Sequence, residues 1–318
     1  MFGTKKQRLL SGVKPTGRPH IGNYFGAMKQ FVDLQNSGKY ESFIFVADYH
    51  ALNFIQDGAE MRELIVELVK DYLAIGLNPV QTLMYQQSGI PEHAELAWIF
   101  DTITTMPYLM RAHAYKDAEA KNKEISVGTF NYPMLMAADI LLYEPDVVPV
   151  GQDQKQHVEY ARDTAEKFNR IFGNTFKLPK EMILESVAVV PGTDGKKMSK
   201  SYGNIIPLFG SREEIAKAVM SIVTDSSGER PENVYAIHKL LKPEAELAPL
   251  YTEKKGNYKA LKEALIEDLN AFIEPMREKR ASLSRAVILG ILEEGREKAR
   301  ERASKKMKEV RKKVGVAL

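Results

Sequence analysis

Cysteine is absent from all 318 residues, so neither a disulfide framework nor a thiolate metal site can form. The six histidines are too scattered for a zinc cluster, and a reducing cytoplasm is the expected compartment. Long apolar runs are missing as well. No window approaches the roughly 20 apolar residues of a membrane span, and Met1 to Leu10 is polar and basic where a signal peptide would be apolar. Neither sign of charge is in strong excess. A net charge of +3 argues against a surface wholly given to polyanion binding and leaves room for a local basic patch. What is present, 44% hydrophobic and 27% charged residues, suffices for one large core plus a smaller appended domain.

Leu9 to Val13 is a short apolar run closed by Lys14-Pro15-Thr16-Gly17, and an amphipathic stretch then runs through Ile21, Phe25, Met28 and Phe31. This predicts a strand, a loop and a helix. Further strands are expected at Phe43 to Ala47, Thr82 to Gln86 and Asp146 to Val150, with a helix around Met61 to Ile75 and another after Gln154. A last apolar run, Val187 to Val190, ends in the turn Pro191-Gly192-Thr193-Asp194-Gly195. Strands alternating with helices imply right-handed crossovers and a parallel sheet covered on both faces, an α/β Rossmann-like, doubly wound fold. The segment from about Pro91 to Glu144 breaks the alternation and reads as a helical insertion. Beyond about Ser211 only helical patterns occur. The last carries Ala299, Ala303, Met307, Val310 and Val314 on one face, and from Arg277 onward fourteen Lys and Arg stand against six Glu.

The first loop, Ser11 to Asn23, joins the first strand to the first helix, where parallel sheets bind nucleotides: helix N-termini there offer free N–H groups and partial positive charge. Gly22 would let a base or ribose approach the backbone, His20 can donate to a phosphate oxygen, and Asn23 could add a second donor. Gly and Pro after a strand also mark any tight turn. A second element, Lys197-Met198-Ser199-Lys200-Ser201, brings two ammonium groups and two hydroxyls onto a loop primed by Gly192 and Gly195. Cations closing over a departing pyrophosphate stabilise charge that grows in the transition state, although such a loop alone is usually solvated surface. Farther along, Tyr132, Met136 and Asp139 share one helix face. A carboxylate on that apolar face is costly unless paired, which fits either a salt-bridged structural aspartate or an acceptor for a substrate side chain, with Met136 packing on an aromatic ring.

Together, His20-Ile21-Gly22-Asn23 and Lys197 to Ser201 resemble the HIGH and KMSKS signatures of class I aminoacyl-tRNA synthetases, with asparagine closing the first and the second unaltered. Tyr132 to Tyr143, followed by Val148 to His157, resembles the bacterial tryptophanyl-tRNA synthetase family, and similarity extends from Ser11-Gly12 through Ala47-Asp48-Tyr49-His50-Ala51 to the helical C-terminus. Tyrosyl members place glutamine where this chain has Met136 and tyrosine where it has Leu10; both departures favour a flatter, apolar pocket that reads an indole N–H through Asp139.

The resemblance implies a division into residues 1–205, a Rossmann-like catalytic part with the insertion at about 91–144 and the signature loop at 191–203, and 206–318, a helical tRNA-binding part. It implies that Gly12, His50, Tyr132, Met136, Asp139 and Gln154 bind tryptophan, Gln154 at its polar end. ATP, a substrate arriving with Mg²⁺, would meet Lys14, Pro15, Thr16, Gly22, Asn23, Gly151, Gln152, Asp153, Val189, Lys197, Met198, Ser199, Lys200 and Ser201, while no protein-bound metal is expected. His20, Asn23, Lys197 and Lys200 would be catalytic. Many members carry glutamine at the Lys14 position; a lysine there would neutralise phosphate or carboxylate, or point to solvent. A phosphate-binding lysine is expected among Lys116, Lys121 and Lys123, with Lys116 favoured. The partners implied are tRNA(Trp), contacted by the basic C-terminal helices, and a second copy of the chain, met through the inserted helices. The alternatives are a tyrosyl-tRNA synthetase, a small-molecule nucleotidyltransferase, and a catalytically silent paralogue that binds tRNA or tryptophan.

Overall fold

The computed structural model describes residues 6–120, 124–150, 155–183, 189–224 and 230–317. Its centre is a parallel sheet of β1 (Gln7–Val13), β2 (Tyr40–Val46), β3 (Thr82–Gln86), β4 (Val147–Val150) and β5 (Lys180–Ile183), in the spatial order β3-β2-β1-β4-β5. The chain therefore winds outward from β1 to one edge and then returns to β1's other side, which puts the topological switch between β1 and β4. There the two strands pair only through Leu9 opposite Val147. They part towards their carboxyl ends, and the gap becomes a cleft.

The alternation of side chains along β2 sorts the core. Ile44 and Val46 face one side, packing with α1 (Ile21–Asn23), α2 (Lys29–Asn36), α4 (Gly58–Ala74), α10 (Arg212–Met220), α11 (Glu232–His238) and α13 (Tyr258–Ser282). Phe43 and Phe45 face the other, against α5 (Glu92–Ile103), α8 (Val127–Leu141) and α9 (Lys155–Phe172). The helical insertion is thus the layer that covers the sheet's second face, extended by the short helices α6 (Met106–Leu109) and α7 (His113–Ala120).

The fifth strand is Lys180–Ile183; of the apolar run Val187 to Val190, Val189 is exposed and residues 187 and 188 lie outside the described set. A four-residue edge strand half composed of Lys and Glu carries no apolar run for a sequence reading to find.

The last helix, α14 (Arg285–Val314), joins the two cores. Ile288 and Leu292 belong to the first, Ala299, Ala303, Met307 and Val310 to the second. At the crossing Gly295 lies flat on the β3 edge, where a β-carbon would fall onto the carbonyl oxygen of Met84. The α14 helix, beyond the expected division at 205/206, packs into both cores. Much of its basic charge docks it to the sheet half: Arg302 pairs with Glu41, Arg300 with Glu92 at 3.5 Å, Lys306 with Glu144 at 2.8 Å and Arg311 with Glu95 at 2.5 Å. Exposed Lys305, Lys308 and Lys312 are left pointing outward. Among the described residues no helix is long and apolar enough to cross a membrane.

Candidate active site

A cavity of about 390 Å³ opens at the β1/β4 gap, within the roughly 300–1,000 Å³ usual for small-molecule sites. β1 contributes Leu10, Ser11 and Gly12, and β4 contributes Val148, Pro149 and Val150. Phe31 and Phe45 supply aromatic wall, and α8 presents Tyr132, Met136 and Asp139 on the one face that their spacing predicts. His50, on the short helix α3 (Asp48–Ala51), and Lys14 complete the lining. Gly12 is required here because a side chain at that point would run into the Phe45 ring.

Asp139 is 1% exposed in this apolar setting, yet among the described residues no arginine pairs with it. Its carboxylate is held by hydrogen bonds instead: His50 Nε2 donates to Oδ2 at 2.8 Å, while Gln87 Nε2 at 2.7 Å and His93 Nδ1 at 2.6 Å reach Oδ1. Burial by itself would raise this carboxyl, but the bonds from the two histidines outweigh it and hold it at about 2. The group is a permanently ionised acceptor in a greasy wall. Tyr132 is fixed through its hydroxyl, 3.0 Å from His157 Nε2, and by an edge-on contact with His50.

The two signature segments meet beside the cavity. His20 caps the first turn of α1 reciprocally with Asn23: Asn23 N–H donates to His20 Nδ1 at 3.2 Å, and His20 N–H donates to Asn23 Oδ1 at 3.1 Å. Because Nδ1 accepts, the ring proton sits on Nε2, where it can be donated outward. Burial, with help from the Lys200 charge, depresses this imidazole to about 4. The box uses the Asn23 side-chain oxygen as an acceptor and leaves its amide nitrogen available as a donor beside His20. Met198 is buried against Gly22, whose notional β-carbon lies 3.3 Å from that of Met198. Lys200 reaches back across the fold to donate to the carbonyls of Thr16 at 2.8 Å and Gly17 at 3.0 Å. Asn204 braces the loop from beneath, accepting from Ser199 N–H at 2.8 Å and donating to the Lys197 carbonyl at 3.2 Å. Ser199 and Ser201 share a hydroxyl contact of 2.9 Å.

The structure thus brings Gly12, Lys14, His50, Tyr132, Met136 and Asp139 into one cavity, and His20, Gly22, Asn23, Pro15, Thr16 and Met198 to Ser201 into an adjoining cluster. Lys14 bridges the two, its ammonium 5.2 Å over the Phe54 ring and its pKa lowered by burial. Lys197 and Val189 are exposed, as is Lys116 on α7. Gly151, Gln152, Asp153 and Gln154, with Lys121 and Lys123, lie outside the described residues. Gln87, His93 and His157 were not foreseen. Gln87 and His93 come from distant segments and carry no motif, and His157, though it ends the stretch that resembles the family, had no role assigned, so only the fold could place them.

A model of the family "tRNA synthetases class I (W and Y)" matches residues 3–287 of the chain. Tryptophan–tRNA ligase from Fusobacterium nucleatum is 45% identical over 98% of this chain and 98% of its own length. The crystal structure of tryptophanyl-tRNA synthetase from Campylobacter jejuni, in complex with ADP and tryptophan, superposes with a TM-score of 0.91 at 43% identity, covering 97% of this chain and 99% of that one. A tyrosyl-tRNA synthetase from Archaeoglobus fulgidus, in complex with L-tyrosine, shares the fold at a TM-score of 0.66 and 22% identity, covering 87% of this chain and 91% of that one.

Proposed function

The chain belongs to the class I tRNA synthetases of the tryptophan and tyrosine group, and from that membership we infer that it is a tryptophan–tRNA ligase. A carboxylate oxygen of L-tryptophan attacks the α-phosphorus of ATP, the bond to the pyrophosphate oxygen breaks, and tryptophanyl-adenylate forms. The acyl group then passes to tRNA.

The observation that carries the choice of amino acid is Asp139, an ionised acceptor among the apolar side chains Leu10, Phe31, Phe45, Met136 and Val148. An indole offers one N–H at the edge of a flat apolar surface, which matches a cavity with aromatic walls and a single carboxylate. A phenol would meet Met136 and Leu10 where a polar partner is needed.

In this reading His20 Nε2–H, Lys197 and Lys200 receive the phosphates, with Mg²⁺ arriving on ATP. Little covalent chemistry falls to the protein, so positioning and charge stabilisation supply the rate. Lys200 can exchange the carbonyls of Thr16 and Gly17 for phosphate oxygens without long travel, because those carbonyls already belong to the loop where ATP is proposed to sit. The tRNA, a polyanion, would be met by residues 206–318, where exposed Lys305, Lys308 and Lys312 form one stripe of α14. A second copy of the chain would cover the exposed Leu52 and Trp98, which line a surface hollow of about 440 Å³ that also includes Tyr132.

ATP–pyrophosphate exchange run with tryptophan and with tyrosine tests the reading. Exchange dependent on tryptophan and at background with tyrosine is the expected result; the reverse would make the chain a tyrosyl enzyme.

A further inference from the structure

The three donors to Asp139 divide unevenly between its oxygens. Among the described residues, Gln87 and His93 both reach Oδ1, whereas Oδ2 receives only His50. A carboxylate offers about four lone-pair sites, two on each oxygen. Oδ1 is therefore filled, and one site on Oδ2 stays open. Asp139 and His50 line the cavity, while Gln87 and His93 stand behind its wall. The donor on Oδ2 is thus the one that itself lines the cavity.

We propose that His93 is a positioning residue for amino-acid selection: by filling Oδ1 from behind the wall, together with Gln87, it turns the remaining lone pair of Asp139 towards the ring N–H of the bound amino acid. This rests on the reading of Asp139 as the acceptor for that N–H.

His93 is built for the task. It is 0% exposed, and its second nitrogen lies 2.9 Å from the hydroxyl of Tyr143, four residues beyond Asp139. One turn of the chain thus holds both ends of the imidazole. Its faces are enclosed by Phe45 at 5.9 Å, Tyr85 at 6.4 Å and Tyr143 at 5.6 Å between ring centres, so the ring has no other orientation available. Asp139 accepts, so His93 Nδ1 carries the proton in that bond. Gln87 is fixed in the same way, its carbonyl oxygen accepting from Tyr49 N–H at 3.1 Å while its amide nitrogen serves Asp139. A carboxylate left free to rotate about its last bond would present either oxygen edge to the cavity. Two donors on one oxygen remove that freedom before the substrate arrives.

The test compares tryptophan with its benzothiophene isostere, in which sulfur replaces the ring N–H. The quantity read is the ratio of their kcat/KM values in pyrophosphate exchange, for the wild-type protein, His93→Asn and His93→Gln. The asparagine amide places a donor near the position of Nδ1 and keeps the bond to Asp139; the glutamine amide reaches towards Tyr143 and withdraws it. Wild type is expected to favour tryptophan by orders of magnitude, as sites built for a substrate N–H do. His93→Gln should lower the ratio at least about tenfold, the worth of a charge-assisted hydrogen bond, through tryptophan alone. His93→Asn should retain most of it. Turnover of the isostere, unchanged across the set, reports that each variant is folded. A His93→Gln ratio equal to wild type, an equal loss for both amino acids, or no difference between the two variants overturns the proposal while leaving Asp139 as the acceptor. A wild-type ratio near one overturns the role of Asp139 itself, and the proposal with it.

Discussion

Lys200 is the residue whose removal separates binding from chemistry most cleanly. Its ammonium lies on the Thr16 and Gly17 carbonyls, away from the cavity that holds Asp139, so Lys200→Ala should leave the KM for tryptophan nearly unchanged. Adenylate formation should slow by about 10²–10³-fold, the usual cost of losing one preorganised donor at a developing oxyanion. Pyrophosphate exchange checks both numbers. His20 makes a prediction about pH. With its ring depressed to about 4, it stays neutral and donating across the working range, so the exchange profile should show no inflection from it between about pH 5 and 8. The linkage sign follows from a folded value below the ordinary 6.5: the unfolded chain binds the proton more readily. The stabilisation is complete above 6.5 and is lost as pH falls through about 4, so denaturant titrations of His20→Asn should show a shallower loss over that window. At this scale the two signature segments were legible because their chemistry is carried by residues adjacent in the chain. His93 and Gln87 were not, since a histidine near the start of an amphipathic helix and a glutamine after a strand look like ordinary structural positions until the fold sets both on Asp139.

The elements were legible where burial forced a pattern. β1, β2, β3 and β4 lie at or near the expected apolar runs, because a strand of a covered parallel sheet is apolar along its length. Two features escaped that logic. The helix after His20 contains a π turn, Tyr24–Met28, which re-aims Ala27 and Phe31 so that both line the cavity. No propensity marks such a turn. The route of α14 was also hidden, because periodicity shows that a helix has a buried face and not what lies against it. Gly295 tests that route. In a free helix Gly→Ala stabilises by roughly 1 kcal/mol, but here the new methyl would meet the Met84 carbonyl, backbone that cannot swing aside. Gly295→Ala should therefore destabilise by about 3 kcal/mol, near the upper end for overpacking, read from thermal or denaturant unfolding. A stabilised variant would show that α14 does not lie on the β3 edge.

On the scale of the whole molecule, charge and apolar surface are divided between holding the chain together and meeting partners. Arg300, Arg302, Lys306 and Arg311 bind acidic residues of the sheet half or its cover, so the basic bias of the C-terminus is partly internal glue. Composition alone could not distinguish that role from tRNA contact. The apolar surface at Trp98, 70% exposed, is of a different kind, since none of the described residues covers it. If a second copy does so, Trp98→Glu should halve the mass seen by light scattering while leaving the thermal unfolding of the protomer within about 1 kcal/mol, as surface changes usually do. A wild-type protein already at the mass of one chain would remove the dimer from the account.

Every scale converges on the orientation of one carboxylate. The most direct measurement is a crystal structure of the protein with tryptophan bound and no ATP. The account predicts the indole in the cleft between β1 and α8, its ring nitrogen within about 3 Å of Asp139 Oδ2, the distance of an N–H···O hydrogen bond, and with Gln87 and His93 still on Oδ1. An indole whose nitrogen faces the β4 wall, or an Asp139 that has turned away to another partner, would contradict it.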